Sequence, residues 1–170
     1  VMTSFADKRA ALIRELQAGD GRQVALAKDT SNLFRDRAQA ARRRLDVRGF
    51  NGVLAVDTAA GWVDVEGMTP YDALVDATLA AGAMPCVVPQ LKSITLGGAV
   101  AGVGIEASSF RYGLVHETTL ELEILCGSGQ IVVATADNEH RELFHGFPNS
   151  YGTLGYALPA LERTIARLVR

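Results

Sequence analysis

The order of apolar and polar positions in the first half of the chain predicts helices and strands in alternation. Apolar residues recur at helical spacing from Phe5 to Leu16, after Ser4 as a possible cap and Asp7 in the first turn. The segment QVALA at 23–27 predicts a short strand. GVLAVD and WVDVEG flank TAAG, which predicts an antiparallel hairpin.

The clearest start of a helix lies at Thr69, which is expected to be the N-cap. Pro70 would occupy the first helical position, and Asp72 would lie at the third. Gly82 would end the helix in the left-handed conformation. Four residues are expected to form its buried stripe: Leu74, Val75, Thr78 and Leu79. PCVVP then predicts a buried strand bounded by prolines.

The second half contains a second predicted hairpin. TTLELEILC alternates apolar residues with Glu121 and Glu123, which predicts a half-exposed strand, and GSGQ turns it into IVVAT. DNEHRELFHGF predicts a short helix capped by Asp137. The tail GYALPALERTIARLVR fits either a strand or a helix, and Pro159 argues against a central strand.

Composition and charge narrow the class of protein. The 170 residues fit one domain or two small lobes sharing a core, and 48% apolar with 21% charged residues is typical of soluble globular proteins. A net charge of −2 predicts no attraction to nucleic acid. The basic run around Arg42–Arg44 is interpreted as a solvated face.

Targeting and cysteine patterns point to a cytoplasmic protein with reduced thiols. The longest uncharged apolar-rich run, 94–105, is far shorter than the roughly 20 residues of a membrane span, so no transmembrane or export segment is expected. Cys86 and Cys126 stand alone, so neither a disulfide framework nor a zinc site is expected.

Five glycines fall within TLGGAVAGVGIEASSFRYG at 95–113, and this stretch is the strongest candidate for chemistry. Glycine inside a regular element is disfavoured by roughly 0.5–1 kcal/mol relative to alanine, so a sharp turn or a close approach is expected. Gly102, Gly104 and Ala107 fit the dinucleotide fingerprint. That fingerprint requires a strand directly before the glycines and a full helix after them, whereas here no strand runs into them and Gly113 interrupts the segment that follows.

Other common site types are absent from the sequence. No P-loop or nucleophile elbow occurs, and His116, His140 and His145 are too scattered for a metal site. Two interpretations of the glycines remain. Their N–H groups could cradle an extended anionic cofactor without a metal, or the stretch could be a tightly packed structural loop.

With GSGQIVV and LFHGFPNSYGTLGYAL, this stretch resembles the PCMH-type FAD-binding domain of the vanillyl-alcohol oxidase superfamily. Within it, VVPQLKSITLGGAVAGVGIEASSFRYGL is similar to the Delta-24 sterol reductase (diminuto)-like branch, and the resemblance covers roughly 23–165. It implies an α+β fold of two lobes, flanked by helices. A small mixed-sheet lobe would span about 1–89 and a larger antiparallel-sheet lobe about 90–170, with FAD along their junction.

The resemblance also implies which residues contact FAD. A first-lobe loop stands where the family has a pyrophosphate loop, although TSNLFRDR replaces the usual glycines: Thr30, Ser31, Asn32, Leu33 and Phe34. A second set would line the isoalloxazine, pyrophosphate and ribose: Pro89, Thr95, Leu96, Gly97, Gly98, Gly102, Val103, Gly104, Ile105, Glu106 and Ser108. A third would lie beside the adenosine: Gly152, Thr153, Gly155 and Tyr156. Because no histidine precedes His116, non-covalent FAD is expected.

The chemistry implied by the resemblance is hydride transfer by the flavin, for which the protein supplies orientation and electrostatics. The sterol-reductase branch implies reduction of a carbon–carbon double bond in a sterol-like or methylene-branched fatty acyl lipid, with NADPH as electron donor. A lipid substrate implies peripheral contact with a membrane. The alkene needs a proton donor, for which Glu106, His116 and Tyr156 are candidates. Arg111 would stabilise reduced flavin or form a surface ion pair.

Three functional hypotheses follow. The first is the FAD-binding portion of a lipid double-bond reductase, and the second is an FAD-linked oxidase of an alcohol, sugar or hydroxy acid. The third is a flavin-binding module or fragment without turnover of its own. Because family members continue into a second domain that covers the flavin, a C-terminal substrate domain is expected to dock on this chain.

Overall fold

The computed structural model describes residues 4–19, 24–28, 43–150 and 160–169. Its helices are α1 (Phe5–Gln17), α2 (Tyr71–Ala80), α3 (Leu96–Ala101), α4 (Ser109–Tyr112) and α5 (Arg141–Gly146), with a 3₁₀ turn at Val115–Thr118. Its strands are β1 (Val24–Ala27), β2 (Arg43–Asp46), β3 (Val53–Asp57), β4 (Trp62–Glu66), β5 (Met84–Pro85), β6 (Thr119–Leu125), β7 (Ile131–Thr135) and β8 (Ala160–Val169). Helices and strands occur together, as the predicted α+β class requires.

The main sheet has six strands, and its central strand is β8. The order is β3-β4-β8-β6-β7, β5 pairs with β8, and every pairing in this sheet is antiparallel. The argument from Pro159 against a central strand was therefore wrong. The strand begins at Ala160, one residue after the proline, so no donor within the ladder is lost.

A second, small sheet consists of β1 and β2, which pair in parallel. Around it lies a cluster of buried side chains from α1, from β2 and the segment that follows it, and from the end of β6: Leu12, Leu45, Val47, Phe50 and Leu125. The strand β2 was not predicted. The basic run that was interpreted as a solvated face is partly structural, because the Arg43 guanidinium donates to the Leu16 carbonyl at the end of α1, 3.2 Å away.

Both predicted hairpins are confirmed. Gly61, between β3 and β4, has a φ of 75°, and Gly129, between β6 and β7, has a φ of 83°. The face assigned to Glu123 was wrong, because this residue is only 4% exposed and faces Arg9. A bulge between Glu123 and Ile124 interrupts the strict alternation of faces along β6.

The helix α2 begins one residue later than predicted, at Tyr71. Pro70 is the N-cap, and the buried Thr69 hydroxyl instead donates to the Gly52 carbonyl, 3.0 Å away. The buried stripe is narrower than predicted, since Leu79 is 51% exposed. Gly82 follows the helix with a φ of 78°, as predicted.

Two further boundaries differ from the sequence analysis. PCVVP contributes only its first proline to a strand, since β5 ends at Pro85. Asp137 does not cap α5, which begins at Arg141. The Asp137 carboxylate accepts a hydrogen bond from the Thr135 hydroxyl, and the Asn138 side chain accepts one from the His140 amide at 2.9 Å.

The core lies where the main sheet meets α2, α3 and α5. Leu74 from α2, Val100 from α3 and Phe144 from α5 pack on the sheet residues Val63 and Leu122. The hairpin β3–β4 from the first half of the chain lies in the same sheet as β6–β8, and the division into lobes near residue 89 stays a prediction. Among the described residues, no helix has the length and apolar character needed to cross a membrane.

Candidate functional site

The glycine stretch begins with a short helix that the sequence analysis did not predict. The Thr95 hydroxyl caps α3 by accepting a hydrogen bond from the Gly98 amide at 3.1 Å. Leu96 and Val100 anchor the helix in the core. Each glycine disfavours a helix by about 1 kcal/mol, and here the cap and the buried apolar side chains offset that cost.

The first amides of α3 are already bonded within the chain. Leu96 donates to the Thr69 carbonyl at 3.0 Å, and Gly97 donates to the Gly67 carbonyl at 3.0 Å. With the Gly98 amide on Thr95, these N–H groups have partners and do not remain as donors for a phosphate. The packed-loop interpretation therefore accounts for this part of the stretch.

After α3 the backbone is strained at Val103, whose φ is 55°. The next amide, at Gly104, donates to the Ala99 carbonyl at 2.8 Å, and the Gly104 carbonyl accepts from Val115 at 3.0 Å. A β-branched residue in the left-handed region is an outlier costing of order 1–3 kcal/mol, and such strain concentrates at functional sites. These bonds hold the strained turn in place.

Two exposed apolar side chains lie in the strained turn and in α4, which follows it, and the turn also has an N–H without an acceptor among the described residues. Ile105 is 70% exposed, Phe110 is 92% exposed, and no described residue accepts a hydrogen bond from the Ile105 N–H. This surface fits the flat ring system of a flavin, which has an apolar face and acceptors at its edge. It fits a pyrophosphate less well, because a pyrophosphate needs several donors.

A cavity of about 370 Å³ lies next to this turn, between the segment that follows β5, the start of α4 and the end of β8. Its apolar wall consists of Met84, Pro85, Val88, Ala107 and Val169. Its polar side chains are Gln90, Glu106, Ser108 and Tyr112, and the Cys86 residue also lines it. The sequence analysis interpreted PCVVP as a strand and missed the Met84, Cys86 and Gln90 positions.

The polar groups of the cavity are bonded to its walls. A Glu106 carboxylate oxygen accepts from the Gln90 amide at 3.4 Å, and the Ser108 hydroxyl donates to the Cys86 carbonyl at 2.9 Å.

Burial, and secondarily the charge of Glu106, raises the pKa of Tyr71. Burial also raises the pKa of the Cys86 thiol, against the smaller effect of Arg167, so both groups stay protonated at neutral pH.

Two of the predicted proton donors, Glu106 and His116, lie in different parts of the structure. Glu106 lines the cavity. His116 lies in the 3₁₀ turn, where its Nδ1 is buried without a hydrogen-bond partner among the described residues. The Arg111 guanidinium lies 5.3 Å from the centre of the Tyr112 ring and forms no ion pair within the described part of the chain.

The remaining predicted contacts divide into described and undescribed residues. Pro89 and Leu96 are buried, Gly98 is exposed, and Gly102 and Ser108 are half-buried. Two sets lie outside the described residues and stay predictions: Thr30, Ser31, Asn32, Leu33 and Phe34, and Gly152, Thr153, Gly155 and Tyr156.

Residues 7–135, more than half of the chain, match a family described as an FAD binding domain. The chain belongs to this FAD-binding domain family. The fold agrees, because 6-hydroxy-D-nicotine oxidase from Arthrobacter nicotinovorans superimposes with a TM-score of 0.73 at 16% identity, over 98% of this chain and 35% of that chain. The predicted PCMH-type FAD-binding fold is confirmed.

Curated relatives of this FAD-binding domain include sterol reductases and cytokinin dehydrogenases. The chain is 34% identical to Delta(24)-sterol reductase of Pisum sativum over 130 residues, 76% of this chain and 23% of the relative. The human reductase is also 34% identical, over 113 residues, 66% of this chain and 22% of the relative. Cytokinin dehydrogenase 6 of Oryza sativa subsp. japonica is 32% identical over 120 residues, 70% of this chain and 22% of the relative. The chain thus spans less than a quarter of these relatives.

Proposed function

We propose that this FAD-binding domain is part of a flavin-dependent oxidoreductase that reduces a carbon–carbon double bond of a lipid with electrons from NADPH. The similarity to sterol reductases at 34% identity supports the reaction class. The observation that carries the proposal is the strained φ of 55° at Val103, beside an exposed Ile105 whose N–H has no acceptor among the described residues. The exposed turn could pack against a planar cofactor without first changing its backbone conformation.

Bound FAD supplies the hydride chemistry, and the chain supplies binding and orientation. Ile105 would offer its side chain to the flavin ring and its N–H to a ring acceptor. Gly104 holds that turn through its bonds to Ala99 and Val115. Because the α3 amides are used internally, the phosphates are proposed to bind the predicted residues at 30–34 and 152–156 instead. A further domain of the relatives' kind would cover the exposed Phe110.

The proposal predicts that the purified chain binds FAD through this turn. FAD is added, the protein is desalted, and retained flavin is measured by absorbance, with the Kd obtained from flavin fluorescence. Ile105→Glu places a negative charge beside an anionic cofactor and is expected to weaken binding at least tenfold. The matched control is Leu54→Glu on β3, where the leucine is 41% exposed, and its Kd is expected to be unchanged.

The experiment tests separately whether the chain binds FAD and whether FAD binds at Ile105. Absence of flavin from the folded wild-type chain contradicts FAD binding by this domain alone, while equal binding by both glutamate variants contradicts the placement at Ile105. Circular dichroism confirms that the variants fold. Because His116 is the first histidine of the chain, acid precipitation is expected to release the flavin, as it does for a non-covalent cofactor.

A second candidate function is an FAD-linked oxidase of an alcohol, sugar or hydroxy acid. The similarity to cytokinin dehydrogenase 6 and the fold shared with 6-hydroxy-D-nicotine oxidase favour it. The rate at which oxygen reoxidises the chemically reduced flavin distinguishes the two. Slow reoxidation supports the reductase, and fast reoxidation with release of peroxide supports the oxidase. A bound flavin that no added substrate bleaches indicates a module without turnover.

A further inference from the structure

We propose that Thr118 is a positioning residue for the strained turn, residues 103–105, and that it acts on this turn through Val115. The two residues are the ends of the 3₁₀ turn Val115–Thr118. The inference deepens the proposed function and rests on it, because it names the side chain that fixes the backbone expected to contact the flavin.

The strained turn needs a contact from outside to keep its conformation. The φ of 55° at Val103 is one that a β-branched residue adopts only where the surrounding structure fixes it. Two hydrogen bonds at Gly104 do this. Its amide donates to the Ala99 carbonyl at 2.8 Å, and its carbonyl accepts from the Val115 amide at 3.0 Å. The first bond lies within the end of α3, so Val115 provides the contact from another segment.

Val115 is in turn held by its side chain and by its carbonyl. The side chain is 1% exposed and packs in the main core. The carbonyl accepts a hydrogen bond from the Thr118 hydroxyl at 2.7 Å and one from the Thr119 hydroxyl at 3.3 Å. Because the amide and the carbonyl belong to the same residue, these bonds restrict rotation of Val115 and keep its amide directed at Gly104.

The bond from Thr118 is the main one of the two hydroxyl contacts. At 2.7 Å it has the usual length of an O–H···O hydrogen bond, whereas the Thr119 contact at 3.3 Å is long. Thr118 is only 5% exposed, so water cannot readily replace its hydroxyl. Loss of this donor would leave a buried carbonyl with a weaker set of partners.

The consequence for the cofactor lies at the next residue along the chain. Ile105 follows Gly104 directly, and its exposed side chain and N–H are the groups proposed to contact the flavin. A rotation at Gly104 would displace both groups together. Thr118 is buried and acts from behind the turn, so its effect on FAD binding is indirect.

A pair of variants separates the hydroxyl from the packing of Thr118. Thr118→Val replaces the hydroxyl with a methyl group of similar size, and Thr118→Ser keeps the hydroxyl. The matched control is Thr78→Val. Thr78 is also buried, and its hydroxyl donates to the Leu74 carbonyl at 3.0 Å within α2. Both valine variants therefore lose a buried bond from a hydroxyl to a backbone carbonyl, but only one of these bonds involves Val115.

Hydrogen exchange of the Gly104 amide tests the hold on the turn without any cofactor. Exchange is measured by NMR, and the Leu122 amide in β6, between β7 and β8, reports global opening. Thr118→Val is expected to accelerate Gly104 exchange by roughly tenfold relative to Leu122. Thr118→Ser and Thr78→Val are expected to leave this ratio unchanged, since a general loss of stability accelerates both amides.

The affinity for FAD, obtained from flavin fluorescence, tests the consequence for the cofactor. Thr118→Val is expected to raise the Kd by roughly fivefold or more, because the free chain then samples turns that do not fit the flavin. Thr118→Ser is expected to restore the wild-type Kd, and Thr78→Val to leave it unchanged. Thr119→Val, which removes the longer bond, is expected to have the smaller effect.

The two measurements decide the proposal. Gly104 exchange that is unchanged in Thr118→Val, or equally accelerated in Thr78→Val, would overturn the hold of Thr118 on the turn. Faster exchange with an unchanged Kd would overturn its role in cofactor binding. A failure of the proposed function looks different, because the folded wild-type chain would then bind no FAD. The exchange rates require no flavin and would still decide whether Thr118 fixes the turn.

Discussion

The side chain of Val115 lies so close to Gly104 that a Cβ atom on the glycine would be 2.9 Å from the valine Cγ2. The two residues are also joined by a hydrogen bond from the Val115 amide to the Gly104 carbonyl, 3.0 Å long. Real Cβ atoms are essentially never found at that separation from a packed methyl group. At this position glycine serves the packing of the 3₁₀ turn against the end of α3.

The substitution Gly104→Ala is therefore expected to lower the free energy of unfolding by about 1–3 kcal/mol, through overpacking against Val115. Urea denaturation followed by circular dichroism measures the change. The double variant Gly104→Ala with Val115→Ala removes the opposing methyl groups. Its loss is expected to fall short of the sum of the two single losses by about 1 kcal/mol, and strict additivity would contradict the contact.

The strain at Val103 predicts an unusual response to glycine. A Val→Gly change normally loses β-branched packing and adds chain entropy, whereas at a φ of 55° it also relieves strain of about 1–2 kcal/mol. We expect Val103→Gly to change the free energy of unfolding by less than about 0.5 kcal/mol. The control Val133→Gly, in β7, is expected to lose about 1–2 kcal/mol. Similar losses in both variants would show that Val103 is unstrained.

The ion pair between Arg9 and Glu123 links α1 to the main sheet at 2.9 Å, and Glu123 is only 4% exposed. Removing the cation leaves a buried carboxylate with one partner fewer. We expect Arg9→Met to lower the free energy of unfolding by about 1–3 kcal/mol, below the value for a fully buried pair because Arg9 is partly exposed. Arg14→Met, on the exposed side of the same helix, serves as the control in the same urea titration and should differ little from wild type.

The stability of the chain in acid is expected to depend slightly on Asp46. Hydrogen bonds from the Arg48 side chain, and then from its backbone, lower the pKa of Asp46 to about 2. A carboxylate with a lowered pKa stabilises the fold above its unfolded pKa of 3.8, and this contribution disappears as the pH falls through 2. The pair is solvent-exposed, so Asp46→Asn is expected to cost less than about 1 kcal/mol at pH 7.

Unfolding of Asp46→Asn and wild type is compared at pH 7 and near pH 2. The difference in the free energy of unfolding should shrink as the pH falls. Asp76→Asn, on the exposed face of α2, is measured beside it as the matched control. A constant difference at both pH values would refute a role for the Asp46 charge.

Features that depend on neighbouring residues were predictable from the sequence. The hairpins around Gly61 and Gly129 carry their turn signals between the strands they join, and both formed as predicted. The strands β2 and β8 pair with partners far away in the sequence. Nothing within Arg43–Asp46 indicates its pairing with β1, and the Pro159 signal concerns one residue rather than the strand after it.

The same distinction applies to the candidate site. The glycine stretch was recognisable because its residues are contiguous. The hydrogen bond of the Gly97 amide could not be predicted, since its acceptor is the carbonyl of Gly67 in another segment. The cavity around Glu106 combines the β5 segment, the start of α4 and the end of β8. Side chains that meet only in the folded chain leave no periodic pattern for the sequence to show.

The central position of β8 has a consequence for the order of events during protein synthesis. The hairpins β3–β4 and β6–β7 emerge from the ribosome first, but the strand that lies between them is 160–169. Until that segment is released, β4 and β6 each present an unpaired edge. We therefore expect nascent chains that stop before residue 160 to be protease-sensitive and prone to association through those edges, and the main sheet to form in a late, long-range step.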